Sequence, residues 1–294
     1  MIDLDRAAEF MATHARLLDR HRFDVVVRGA GPERLLAALE AYRNPDGGYG
    51  WSLEPDLRAA ESQSACALHA FEVFEDIAPA TSPRAVELCD WLDGVTLDDG
   101  GLPFALPIEN SAGCAPFWTG ADPTVSSLQI TSIVTAMAHR VAAHDPAVAA
   151  HPWLQRATDY CLAASEGQAE DIPAMGRAFA MQALDAATRT RPEAADVIER
   201  LAAPIPASGE LHVSGGLPDE YMRPLDFAPF PDGPAREHLN PDAVAADLER
   251  RANAQQEDGG WPPEFESYSP QAKLEWRGHL TVKNLTLLKR NGVI

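Results

Sequence analysis

The chain has 294 residues, of which 46% are apolar, and 44 Asp and Glu against 24 Lys and Arg give it a formal charge of −20. That length and apolar fraction support one large domain or two small ones around a sizeable core. The acidic surface repels phosphate backbones and excludes nucleic acid as a partner, and no apolar run is long enough to span a bilayer.

The N-terminal stretch "RAAEFMATHARLLDR" predicts a helix, with residues 1–30 forming that helix and a connector. "DVVV" at Asp24 is a strand candidate. Next, "GPERLLAALEAYR" sets Leu35, Leu36, Leu39 and Tyr42 at helical spacing. A glycine turn follows, "RNPDGGYGWSLEPD", and then "AAESQSACALHAFEVF", a helix of small and apolar residues. The order recurs. "SPRAVELCDWLDG" precedes the turn "TLDDGGLPFALP", and "SSLQITSIVTAMAHRVA" follows it. A third pair is "HPWLQRATDYCLAA" and "PAMGRAFAMQALDAA". A last pair, "NPDAVAADLERRANAQQ" and "QAKLEWRGHLTVKNLTLLKR", flanks the turn "QQEDGGWPPEF".

Asp-Gly-Gly thus begins at Asp46, Asp99 and Asp258, and the second interval is three times the first. Glu166-Gly167 and Ser208-Gly209 fit as degenerate copies between them, which makes about five helical hairpins. Helices before each turn carry charges. Those after it are small and apolar, as an outer, solvated layer around an inner, buried one requires. The segment 204–241 breaks the rhythm with eight prolines, so no long helix survives there. It replaces the inner helix of one repeat and is expected to act as a lid. "ELHV" at Glu210, within it, is a second strand candidate.

Gln256-x-x-Gly259-x-Trp261 fits the Q-x(2–5)-G-x-W pattern of the squalene–hopene cyclase family, and Asp46-Gly47-Gly48-Tyr49-Gly50-Trp51 is a variant of it. Over residues 31–294 the chain resembles the prenyltransferase/squalene-cyclase repeat superfamily. The resemblance implies an all-α fold, a single α/α toroid (barrel) domain over 1–294. Glycine supplies the positive φ of the reversal, aspartate caps its amides, and Trp51 and Trp261 pack the joints between units.

The resemblance also implies a terpene cyclase-like protein that holds an isoprenoid or other apolar small molecule in a central cavity and starts cyclisation with an acid. The family's DxDD acid is absent, so the acid candidates are Asp226, set among apolar neighbours in "RPLDFAPF" where its pKa could rise, and Glu61 and Asp56 near the mouth. Trp118, Phe117, Tyr221, Trp276 and His69 are the candidate substrate-binding residues. Two alternatives stand beside this reading: a non-catalytic toroid that binds a ligand or a protein partner, and a carbohydrate-active toroid working with paired carboxylates.

No cofactor and no metal are expected. Cys66 and His69 share a helix face, but a zinc site would need a third ligand from Asp122 or His279. The four cysteines, Cys66, Cys89, Cys114 and Cys161, form no CxxC pair and read as free thiols. No secretory h-region is visible at the N-terminus, so the expected compartment is the cytoplasm.

Overall fold

The computed structural model describes residues 2–294, with the backbone alone at position 168. Helices α1 (Leu4–His14) and α2 (Leu17–Arg28) form a first hairpin, and α3 (Glu33–Leu39) pairs with α4 (Ser64–Asp76). α5 (Pro83–Val95) is joined to α7 (Leu128–Ala142) through the short α6 (Pro116–Thr119). α8 (Pro146–Ala149) leads to α9 (Pro152–Gln168) and α10 (Ala174–Ala187). α11 (Ala194–Ala202) enters the proline-rich segment, which holds strands β1 (Leu211–His212) and β2 (Tyr221–Met222) and the single turn α12 (Pro224–Phe227). α13 (Pro241–Asn253) and α14 (Pro270–Arg290) complete the order. None of these helices is long and apolar enough to cross a membrane.

The inner elements form a closed ring. α2 packs on α4, α4 on α7, α7 on α10 and α10 on α12; α12 leads through α13 to α14, and α14 packs back on α2. α1, α3, α5, α9, α11 and α13 lie outside, most of them bridging two inner neighbours. The molecule is an α/α toroid. Composition explains the layering. α7 buries every residue from Ile130 to Ala138, whereas outer α13 buries only Val244, Asp247 and Arg251.

The three glycine turns are one structure built three times. Gly47, Gly100 and Gly259 have φ of +95°, +90° and +95°, the left-handed region that a Cβ disfavours. In each, the aspartate Oδ1 accepts from the second glycine amide: Asp46 from Gly48 at 3.0 Å, Asp99 from Gly101 at 3.0 Å, Asp258 from Gly260 at 3.1 Å. Each is closed by the same backbone pair, Asn44 to Gly48, Leu97 to Gly101 and Gln256 to Gly260, all at 2.9 Å. The residue after the turn, Tyr49, Leu102 or Trp261, is sealed in the core.

Four local expectations change. Trp51 does not pack a joint: it is 55% exposed, and Tyr49 takes the place that Trp261 has in the last turn. Glu166-Gly167 is no turn, because α9 continues through it. "DVVV" at Asp24 is helical, the end of α2. The N-terminal stretch is a complete hairpin rather than one helix, so the toroid has a sixth unit. It breaks at Ala15 and Arg16, where Arg16 leaves helical geometry at ψ 153°. Its guanidinium bonds Asp19 at 2.8 Å and the distant carbonyl of Leu53 at 3.0 Å.

The proline-rich segment stands where the fifth inner helix would be. Asp226 O accepts from Gln182 of α10 at 2.7 Å, and Asp185 of α10 accepts from the Ala235 amide at 2.7 Å. Phe227 is fully buried. Phe230 lies between the guanidinium of Arg140, 4.7 Å from its centroid, and that of Arg290, 3.3 Å away. The segment expected as a lid supplies inner wall at this position.

Candidate functional site

Each inner helix keeps one stripe partly open while the rest of it is buried. On α10 the stripe is Met175, Phe179, Gln182 and Ala186; on α14 it is Trp276, Leu280 and Lys283; on α4 it includes Leu68 and Glu72. These are i, i+4, i+7 positions, which share one helix face. The open faces point to the axis of the ring. Lys283 lies on such a face. It is exposed, yet protein surrounds it so closely that desolvation holds its ammonium below the usual lysine range, against the opposing pull of Asp226 and Glu72. An exposed side chain on the axial stripe with carboxylates of two other elements, Asp226 and Glu72, close by fits an open space at the centre of the ring.

Depth in this hollow follows from helix rise. Glu72 lies about 12 Å below the start of α4, Lys283 about 20 Å below the start of α14 and Arg140 about 18 Å below the start of α7. We take the end at the starts of the inner helices, where the loops carrying Asp56 and Phe117 gather, as the mouth; Lys283 and Arg140 then lie toward the floor. Arg140, Gln182, Phe230 and Arg290 also line a cavity of about 300 Å³ at the far end.

At the mouth, consecutive left-handed residues Trp51 (φ +56°) and Ser52 (φ +64°) throw the chain into the loop that carries Glu54, Asp56 and Arg58. Such strain costs about 1–2 kcal/mol per residue. Arg16 holds it by donating to Ser52 O at 3.3 Å and to Leu53 O at 3.0 Å. Asp56 is the hub of the rim. Its carboxylate accepts from the Trp276 indole at 2.7 Å, the Tyr268 amide at 3.0 Å and the Ser267 hydroxyl at 3.3 Å. Beside it, Glu275 pairs with Arg58 at 2.8 Å. Phe117 meets Tyr268 at 5.4 Å, and Trp118 stacks on Phe104 at 4.8 Å.

Below the rim lies a charge relay. His69 is held between Glu54, 2.7 Å from Nε2, and Glu72, 3.0 Å from Nδ1. Burial would lower its pKa, but the two carboxylates outweigh that and raise it to about 9, so the ring is an imidazolium. Glu72 also accepts from Arg22 at 3.1 Å. Burial pushes its pKa up; His279, Arg22 and His69 around it outweigh burial and hold it well below the usual carboxylate range. Burial keeps His279 neutral, and its Nδ1 accepts from Arg22 at 3.2 Å.

The candidate residues divide accordingly. Phe117, Trp118, Trp276, Asp56 and His69 are brought to one side of the mouth. Tyr221 stands apart in β2, beside His212 and Arg223. His69 is no substrate contact, because both ring nitrogens are taken and the residue is 4% exposed. Asp56 is fully engaged in pinning the 267–276 region to the rim. Among the described residues Glu61 accepts only from the Glu109 amide, at 3.3 Å, and its second oxygen is buried without a partner. Asp226 is not a raised-pKa acid. Burial pushes its pKa up, but Arg251, Lys283 and the Arg223 amide prevail and lower it. Its ion-pair partner is Arg251 at 2.7 Å; Arg223 contributes a backbone N–H at 2.9 Å.

His69, Glu72 and His279 bring ligand atoms within 4.8 Å of one another, a set that could hold a metal ion. The Arg22 guanidinium, however, donates to both Glu72 and His279. A divalent cation there would face that charge and compete for the same lone pairs. Cys66 does not belong to the set. It is buried, and burial pushes its thiol up to about 12; Asp122 is exposed at the surface.

The sequence reading missed Glu72, Arg22, Gln182 and Lys283. The 276–280–283 spacing on the last helix was the available signal for Lys283.

No protein-family model matches the chain, and no curated protein matches it. Among solved structures, a chain titled "Glycosidase E178A" is similar at 16% identity over 100% of both chains, with a TM-score of 0.46. A likeness of that size carries no inference about activity.

Proposed function

We propose that the protein takes a polar, sugar-like small molecule into the hollow of the toroid. The observation that carries this reading is the chemistry of the open stripes. They set Glu72, Gln182 and Lys283 among Phe179, Leu280 and Trp276. Polar groups placed among aromatic faces suit a ring that bears hydroxyls on its edge and C–H bonds on its faces. A cavity for a polyolefin would instead be lined by apolar and aromatic groups alone.

Acid-initiated cyclisation finds no proton donor in the hollow, because Glu72 and Asp226 are both held ionised. Burial raises two carboxyls, Asp76 to about 6 and Asp185; Asp76 bonds Arg22 at 2.6 Å with its side chain 7% exposed, and Asp185 lies at the far end, where it accepts from the Ala235 amide at 2.7 Å. A glycosidase pair also needs one protonated member. The reading is therefore recognition of a carbohydrate-type ligand.

Ligand-observed NMR with a panel of monosaccharides and disaccharides, and with farnesol as the apolar control, tests it. Saturation transfer to at least one saccharide is expected, weakened about tenfold or more in Trp276→Ala. Transfer to farnesol alone, or saccharide binding untouched by Trp276→Ala in a folded variant, would refute it.

A further inference from the structure

We infer that the floor of the hollow holds a carboxylate of the ligand against Lys283, so that the ligand is an acidic sugar of the uronate type. This rests on the saccharide reading above and specifies its substrate class.

The inference starts from which charges are already committed. Glu72 is bound by Arg22 and His69. Asp226 is bound by Arg251. Glu75, at the far end of α4, is bound by Arg290 at 3.0 Å. Lys283 faces the same space, and its ammonium has neither an ion pair nor a hydrogen bond among the described residues. It is therefore a cation in an enclosed hollow whose neighbouring carboxylates are each held by another group. Lys283 is solvent-accessible, so its ammonium is free to meet an anion that enters the hollow, and a ligand carboxylate would form the charge-assisted pair that no neighbouring side chain supplies.

Arg140 supports the same floor. Its guanidinium spends one bond on the Gln182 amide oxygen at 2.8 Å and one on the Met137 sulfur at 3.5 Å, a weak acceptor. Its nearest carboxylate, Glu75, is 3.9 Å away and already serves Arg290. At the rim, Gln129 likewise donates to a thioether, Met175, at 3.1 Å. Polar donors that settle for sulfur retain capacity for a better oxygen acceptor.

Glu75 and Asp185 stand against Arg290 and Arg140, which leaves Lys283 as the unmatched ammonium among the described residues, and one ammonium matches one negative charge. A carboxylate carries one, whereas a phosphate monoester carries nearly two near neutral pH. A hexuronate places its carboxylate at one end of the ring, which leaves the hydroxyl edge for Glu72 and Gln182 higher in the hollow.

The test is isothermal titration of the intact protein with glucuronate, glucose and glucose 6-phosphate. Wild type is expected to bind glucuronate about tenfold or more tightly than glucose, the worth of one charge-assisted contact. Lys283→Gln should bring the two sugars to within about twofold of each other, and Lys283→Arg should keep part of the preference. Circular dichroism establishes that each variant is folded, and the wild-type ratio decides the matter even if one is not. Equal binding of glucose and glucuronate overturns this inference and leaves the saccharide reading intact. So does a preference for glucose 6-phosphate, or a glucuronate preference that survives in Lys283→Gln. Binding of no sugar at all overturns both.

Discussion

The three equivalent turns allow a graded test of the fold, because the same substitution meets three different surroundings. Replacing glycine by alanine at φ near +90° costs about 1–2 kcal/mol wherever it occurs. That part is common to Gly47→Ala, Gly100→Ala and Gly259→Ala. What differs is the space for the new Cβ. At Gly47 it would lie 3.4 Å from Glu87 O and 3.7 Å from the Trp91 Cβ, which is ordinary contact. At Gly100 it would lie 2.9 Å from Arg156 O, so the joint must yield by a few tenths of an ångström. At Gly259 it would lie 2.1 Å from Arg6 O, 2.3 Å from Arg6 C and 2.8 Å from Ala7 N, inside the backbone of α1. Relief there requires the turn and α1 to separate by roughly 1 Å or more along a packed interface. The expected losses are about 1–2 kcal/mol for Gly47→Ala, about 2–3 kcal/mol for Gly100→Ala and about 4 kcal/mol or more for Gly259→Ala. Urea unfolding followed by circular dichroism reads the order from the midpoints. Equal losses at the three sites, or the largest at Gly47, would refute the close approach of the last turn to α1.

His69 should titrate in NMR with a midpoint near 9, well above an ordinary imidazole. Because its folded pKa is the higher one, its stabilisation is complete below about 6.5 and is lost as pH rises through about 9. The difference is on the order of 3 kcal/mol, and His69→Gln should remove that slope; a midpoint at or below 6.5 would contradict the two-carboxylate clamp. Asp226→Asn should cost about 2–3 kcal/mol in urea unfolding, since it leaves the Arg251 charge with Asp247 at 3.5 Å and the neutral Asn284 oxygen at 3.3 Å. The folded Asp226 pKa is depressed, so its contribution is present above the usual carboxylate range and lost as pH falls through the lowered value. A variant as stable as wild type at neutral pH would show that the pair does not form.

The turns were legible because their physics is local. Asp-Gly-Gly specifies its own hydrogen bonds and its own left-handed glycine, so the three triplets announced three joints. The burial contrast between "LQITSIVTAMAHRVA" and "PDAVAADLERRAN" then separated inner from outer helices. The break at Arg16 was not legible, since carbonyls of residues 52 and 53 help to hold it. The pKa of Asp226 was misjudged for a related reason. Its apolar neighbours in sequence suggested a raised value, whereas Arg251, from the next helix, decides it. Carboxylates could be found in the sequence, but not which cations had already claimed them. Lys283 looked like any surface lysine near the end of a helix until the closure of the ring placed it inside.

That closure also orders events during synthesis. α2 emerges early, with Gly278 of α14 its eventual neighbour: a Cβ there would come within 3.0 Å of the Ala15 side chain and 3.2 Å of Asp19. Arg22 and Asp19 of α2 must wait through nearly the whole chain for the helix that covers them. Until α14 has left the ribosome, the growing polypeptide is an open arc with two unfinished apolar edges. Such edges can join those of neighbouring nascent chains on a polysome. Yield in the cell therefore depends on how long the arc stays open, and slow codons placed just ahead of α14 would lengthen that exposure.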